Sequence, residues 1–456
     1  MGTVLTPGPT YAEMRHPSRL PPELRRRALE ARANELDPLN LFNITWRNRE
    51  DRVRHVVLPR ELTGVAANVI VLLGRDFPSG SHKVGPAYTT LMEGELSGEI
   101  RPGANTIIGP STGNFGIGTA YIAKLMGYRC VVIMPEQMST ERYDRIRRYG
   151  GELDLTPGSE SDVILVLERT EHFKQDAKNK ILAQFELLPN YRFHRFVTGD
   201  AALDAAKGVG NGQVAAFVAA PGSAGTLAAA DEIKAKFADC AVVAVEPKEC
   251  STLYDNGRGT HRIEGIGDKM VTLIHNVLTT DYVALVHDDD CVRGLKLLEQ
   301  GRPVLERHLR LAKGALEPLA GWFGVSGLCN VIGAIKTAKL LHLAAGQNVV
   351  TIATDGFDRY PSVLADLDRR SGPIGDSTLA RWYDEIFRGA TAGEILDVRS
   401  GVQKERLFRQ KREVWTRFGY GDAQLEKMKA QAFWDEEYAK IAPIDRDLAL
   451  KRDLMP

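Results

Sequence analysis

Between residues 69 and 353 the chain alternates short β-branched or apolar runs with longer segments of helical pattern, and this alternation constrains the fold more than any other feature. The runs at 69–73, 106–108, 130–134, 213–219, 240–245 and 348–353 have strand length. The segments 115–126, 139–149, 226–237 and 328–345 read as helices, the last of them Ala-rich and good helix-forming sequence. Strands that alternate with helices fold as βαβ units, so the expected class is α/β with mostly parallel sheets covered by helices. Glycine-containing turns at 109–118, 222–225 and 265–267 fall where strands should end. Ligands of open α/β sheets bind at such strand ends, and these turns therefore point to one shared cleft.

The two ends of the chain differ from this middle. Residues 1–60 are rich in Pro, Arg and Glu, and 22–34 reads as a polar-faced helix of an arm or interface element. After about Leu364 the strand signals stop and a charged, helical tail follows, with Trp382, Phe387, Trp415, Phe418 and Trp434 as apolar anchors against the body or another subunit. The 456 residues suffice for two domains with appended structure. Lys plus Arg (59) balance Asp plus Glu (59), so no net field gathers nucleic acid or an anionic membrane, and a small molecule is the expected partner. No apolar stretch reaches the roughly 18 residues of a membrane span, and the first ten residues lack a leader pattern. The five scattered cysteines show no metal-ligand spacing and read as core thiols of a reducing compartment, which makes the expected location cytoplasmic and the expected metal none. The triplet Asp288-Asp289-Asp290 reads as a solvated loop, since no regular ligand spacing accompanies it.

Three stretches carry chemistry. In Phe77-Pro78-Ser79-Gly80-Ser81-His82-Lys83 a lysine stands between a turn and an apolar helix expected from near Pro86. Partial burial there lowers an amine's pKa and frees it to attack an aldehyde, whereas an ordinary lysine is simply solvated. In Gly109-Pro110-Ser111-Thr112-Gly113-Asn114-Phe115-Gly116, the hydroxyls of Ser111 and Thr112 and the amides opening the following helix suit a carboxylate. The same residues also read as a plain helix cap. In Ala220-Pro221-Gly222-Ser223-Ala224-Gly225-Thr226, small residues let backbone amides wrap a phosphate, with the Ser223 and Thr226 hydroxyls and a helix N-terminus assisting. This turn lacks the G-x-G-x-x-G register of a dinucleotide site.

Together these stretches resemble the fold-type II pyridoxal-phosphate family of cysteine synthase, cystathionine β-synthase, tryptophan synthase β and threonine dehydratase. Further pieces follow in family order: Pro135–Ser139, Gln184-Phe185 and Asn190, Gly265-Ile266-Gly267, and Gly324-Val325-Ser326-Gly327. The resemblance runs from about Val69 to Tyr360 and is closest to cysteine synthase. It implies two lobes, which with the extensions gives 1–60 as N-terminal extension, 61–200 as the lobe with the lysine and carboxylate loop, 201–364 as the cofactor-phosphate lobe and 365–456 as C-terminal extension. It implies pyridoxal 5'-phosphate as cofactor, Lys83 as the catalytic Schiff-base lysine, and Asn114 and Gly222, Ser223, Ala224, Gly225 and Thr226 as cofactor contacts. Ser111, Thr112, Gly113, Phe115, Gln184 and Gly265 are then the substrate contacts. In Ala353-Thr354-Asp355-Gly356-Phe357-Asp358-Arg359-Tyr360 the resemblance assigns Thr354 to the cofactor's pyridine nitrogen, with Asp355 as the alternative because one residue is extra near Phe357. Phe115 departs from the family's usual threonine and puts an O-acetylserine substrate in doubt. The implied reaction is β-elimination or β-replacement on an amino acid through an aminoacrylate. The alternatives are a hydroxy-amino-acid dehydratase or ammonia-lyase, and a noncatalytic scaffold that keeps the fold. A homodimer is implied by the resemblance alone.

Overall fold

The structure is a computed structural model and describes residues 8–453; most of the first ten residues, read above for a leader pattern, lie outside the described residues. Its strands are β1 (His55–Val57), β2 (Asn68–Leu73), β3 (Thr106–Pro110), β4 (Arg129–Pro135), β5 (Glu152–Thr156), β6 (Asn179–Ile181), β7 (Ala216–Ala219), β8 (Ala241–Pro247), β9 (Tyr282–Val286), β10 (Asn348–Ala353) and β11 (Ile395–Asp397). They form two sheets, one of seven strands in the order β1-β2-β10-β7-β8-β9-β11 and one of four in the order β5-β4-β3-β6. Every pairing is parallel except at the two edges of the larger sheet, where β1 and β11 run antiparallel to their neighbours. The range 61–200 is shared between the sheets, because β2 pairs with β10 of the larger one.

The inner strands explain their own apolar sequences. β2 and β10 are buried along their whole length, as parallel strands covered on both faces must be. Thr351, polar in the middle of β10, donates its hydroxyl to the Val218 carbonyl at 2.7 Å and so avoids an unpaired buried group. The run 213–219 yields a shorter strand than its sequence suggests, because the side-chain amide of Asn348 takes the carbonyls of Val209 and Gln213 before the ladder begins. The helix expected at 328–345 spans Val325–Leu340, and left-handed His342 and Gly346 then turn the chain into β10.

Two expectations for the periphery are corrected. Strand signals do not end at Leu364: Ile395–Asp397 pairs with β9, and three residues are too few to show a periodicity. The acidic triplet is the first turn of the Asp288–Glu299 helix rather than a loop, where negative charge complements the helix dipole. The tail packs on the body. Trp382 and Phe387 join the core around the larger sheet, while Trp415 and Trp434 are buried in the other main cluster with Phe418 partly buried against it. Lys411, 1% exposed, donates to the carbonyls of Leu273 and His275, and Lys404 donates to those of Val277 and Thr280. The tail also meets the arm. Asp445 accepts the backbone N–H groups of Tyr11 (2.7 Å) and Ala12 (2.9 Å), and Arg452 pairs with Glu13.

Candidate active site

The C-terminal ends of β2, β3, β6, β7 and β10 converge between the sheets. Past β2, the Ser81 hydroxyl donates to the Thr354 carbonyl at 3.0 Å and the His82 N–H donates to the same oxygen, which ties the ends of β2 and β10 together. His82 is fully buried beside Trp46, and burial with the adjacent Lys83 charge lowers its imidazole to about 3. It stays neutral and acts as a fixed support. Lys83 immediately precedes the Val84–Leu96 helix, which starts two residues earlier than the sequence suggests. Its Nζ donates to Gln184 Oε1 at 3.0 Å and to Ser223 Oγ at 3.2 Å. Burial lowers this amine to about 8, opposed by the negative charge of Asp268 and Glu160.

Past β3, Ser111 Oγ accepts the N–H groups of Gly113 (3.0 Å) and Gly116 (2.9 Å), folding the loop against the start of the Asn114–Leu125 helix. Gly116 is required there, since a Cβ would lie 2.6 Å from Val132 Cγ1. The Thr112 hydroxyl donates to Glu160, so it is engaged inside the protein rather than turned freely to a ligand. Asn114 is likewise engaged: its Nδ2 donates to Asp355 Oδ2 at 2.6 Å and its Oδ1 accepts from Arg359 Nε at 2.7 Å.

Past β7, the small-residue turn holds a non-glycine left-handed residue, Ala224, at φ 64°, a conformation that persists only where the surroundings enforce it. Gly222 and Gly225 are packed so tightly that a Cβ would lie 2.4 Å from the Gly265 carbonyl or 2.2 Å from Asn190 Oδ1. One cleft is lined by Lys83, Ser111, Thr112, Gly113, Asn114, Phe115, Gln184, Gly222, Ser223, Gly265 and Thr354, all anticipated from the sequence, together with Phe185 and Asp268. Ala224, Gly225 and Thr226 continue the turn behind Ser223, and Thr226 opens the helical run to Lys236. Asp355 is absent from that lining. It is fully buried, and its Oδ2 accepts from Asn114 and from the Tyr360 hydroxyl at 2.8 Å, whereas the Thr354 hydroxyl shares a hydrogen bond with Ser326 Oγ at 3.0 Å.

Comparison with known proteins decides the class. Residues 72–355 match the family described as pyridoxal-phosphate dependent enzyme. The chain belongs to that family. Over 298 residues it is 32% identical to a cysteine synthase of Staphylococcus aureus (strain Mu50 / ATCC 700699), covering 65% of this chain and 88% of that protein. The same identity and length hold for a probable cysteine synthase of Bacillus subtilis (strain 168), of which 89% is covered. In three dimensions an O-ureido-L-serine synthase superposes with a TM-score of 0.59 at 26% identity, over 72% of this chain and 96% of that one. The cysteine synthase of Entamoeba histolytica superposes at 0.60 with 22% identity, over 74% and 92%, and supports the fold. The enzyme therefore has the fold-type II architecture and depends on pyridoxal phosphate.

The residues fit that group. An amine of lowered pKa stands beside a turn whose two glycines, Gly222 and Gly225, admit no Cβ, and the hydroxyls of Ser223 and Thr226 with first-turn amides suit a phosphate. Two acids escaped the motif reading: Asp268, just after the Gly265-Ile266-Gly267 turn, and Glu160, the partner of Thr112. Nothing in a single sequence distinguishes them from surface carboxylates, because what marks them is burial, at 4% and 2% exposure.

Proposed function

We propose that the enzyme eliminates or replaces a substituent on the β-carbon of a small amino acid, with Lys83 as the group that carries the α-proton. The supporting observation is the placement of Lys83 Nζ, bonded to Gln184 beside the Ser111–Gly113 loop and to Ser223 at the head of the glycine turn. Bound pyridoxal phosphate supplies the aldehyde that captures an amine and a conjugated ring that withdraws electrons from Cα.

The chain's own residues do the rest. The Gly222–Thr226 turn holds the phosphate, and Ser111, Gly113 and the first amides of the Asn114–Leu125 helix hold the substrate carboxylate, with Gln184 alongside. Asn114 has a second amide hydrogen for the cofactor's phenolic oxygen while the first stays on Asp355. Thr354 offers a neutral hydroxyl to the ring nitrogen, while the Asp355 carboxylate is held by Asn114 and Tyr360. A neutral partner favours prompt loss of a β-substituent over a long-lived carbanion. Lowered to about 8, the Lys83 amine has a substantial neutral fraction near neutral pH and is able to accept a proton. Phe115, 1% exposed, makes the wall above this group apolar and excludes water. A homodimer in the cytoplasm completes the proposal, supported by the family resemblance and by five buried cysteines that are all unpaired.

Borohydride reduction of the holoenzyme followed by peptide mapping is expected to place a pyridoxyl group on Lys83, and β-chloro-L-alanine is expected to yield pyruvate. Label on another lysine, or no pyruvate, refutes the reading. Pyruvate that persists when a thiol is added favours the lyase outcome, and its replacement by a thioether amino acid favours β-replacement.

A further inference from the structure

Among the described residues lining the cleft, Asp268 supplies the carboxyl group, and that group is buried without a hydrogen-bond partner. Its side chain is 4% exposed, and neither carboxylate oxygen has a hydrogen-bond partner. Such a group is rare in a folded protein and calls for a missing partner. The surrounding charges do not provide one. Lys83 attracts it, but the Lys83 Nζ bonds go to Gln184 and Ser223, and Glu160, behind the cleft lining, repels it. Glu160 has partners of its own, accepting from the Thr112 hydroxyl and being favoured in its charged form by Arg142 and the Gly265 backbone. The neighbouring Lys269 pairs elsewhere, with Asp162 at 2.6 Å. Burial holds both carboxyl groups above the usual carboxylate range, Glu160 at about 7, and the Glu160 charge raises Asp268 further. A cation placed against Asp268 in the cleft supplies the partner that its two oxygens lack.

We propose that Asp268 is the specificity contact for a positively charged, amine-bearing group on the substrate's β-carbon. This rests on the β-elimination reading above and names its substrate class. In that class the α-proton passes to Lys83, and the Cβ–N bond breaks with its electron pair going to nitrogen. Because Asp268 keeps that nitrogen protonated until the bond breaks, it departs as a neutral amine rather than as an amide anion. For L-2,3-diaminopropionate, one substrate and one water give one pyruvate and two ammonium ions. Asp268→Asn keeps the size and removes the charge, so the loss should concentrate on the charged substrate.

The test compares the wild-type holoenzyme with Asp268→Asn on L-2,3-diaminopropionate and on uncharged β-chloro-L-alanine, and adds calorimetric binding of L-2,3-diaminopropionate to Lys83→Ala with and without Asp268→Asn. The expected result is a kcat/KM loss at least roughly thirty-fold larger for the diamine than for the chloride, together with at least a ten-fold weaker calorimetric Kd. Proportional losses on both substrates make Asp268 a support for Lys83 or the fold and overturn the inference. It is also overturned, alone, if the wild type consumes β-chloro-L-alanine but neither binds nor consumes the diamine. Failure of the wild type on the chloride instead refutes the β-elimination reading itself.

Discussion

Replacing Gly222 by alanine tests whether the glycine turn is a cofactor cradle or only a bend. The backbone there has no positive φ, so alanine brings no conformational strain and the effect is steric. The new Cβ would stand 2.4 Å from the Gly265 carbonyl oxygen, against 3.4 Å for the start of ordinary contact, so one of two backbone turns must move by about 1.0 Å. They are stapled together by the Gly267 N–H donating to the Pro221 carbonyl at 3.0 Å. Overpacking of this kind costs about 1–3 kcal/mol. If the displacement falls on the phosphate turn, that converts to a roughly 5- to 150-fold weaker Kd for pyridoxal phosphate, at about 1.4 kcal/mol per factor of ten. The assay is fluorescence titration of the apoenzyme with the cofactor, beside urea unfolding. Gly208→Ala is the control, because a Cβ there meets nothing within 4 Å. Cofactor affinity within two-fold of wild type, with unchanged unfolding, would refute the argument.

In the apoenzyme, trace reductive methylation of Lys83 should titrate near pH 8 while surface lysines titrate near the ordinary value of about 10.5, as read by peptide mapping. Below pH 8 its rate should fall ten-fold per pH unit, and a midpoint near 10.5 would contradict the enclosed site. Lys411, lowered to about 7 by burial, holds fewer protons folded than unfolded between pH 7 and about 10.5, so its contribution to stability improves as pH rises through that window. Lys411→Met should flatten that rise by roughly 3–5 kcal/mol in urea unfolding measured across the window; parallel curves would show the amine is not enclosed as described. Thr354→Val should lower kcat/KM about ten-fold with little change in unfolding, whereas Asp355→Asn should chiefly lower the melting temperature by leaving Arg359 and Arg142 less compensated. The reverse pattern would give the ring-nitrogen role to Asp355.

The sequence made the centre of this enzyme readable and its acids invisible, for physical reasons. Strands such as Asn68–Leu73 and Asn348–Ala353 are buried on both faces, so their composition announces them. Glycines at 116, 222 and 225 are demanded by contacts that admit no Cβ, and such demands appear as motifs. Asp268 and Glu160 owe their character to desolvation by residues far away in the chain, which no local pattern encodes. What distinguishes the surroundings of Thr354 from those of Asp355 also appears only in three dimensions, in the partners Ser326 for the one and Asn114 and Tyr360 for the other. β11 escaped because its three residues take their strand form from β9.

The contact between the two extensions has a practical result. Asp445 closes over the amides of Tyr11 and Ala12, and Arg452 over Glu13, so the polypeptide is clasped near its extremities like a bracelet. Cutting back either extremity strands charged groups on the other, and a shortened version built to mimic the smaller relatives is predicted to lose cooperativity before it loses residues that face the substrate. A circular permutant that bridges the clasp with a short flexible linker should tolerate new ends in an exposed loop far better than either truncation.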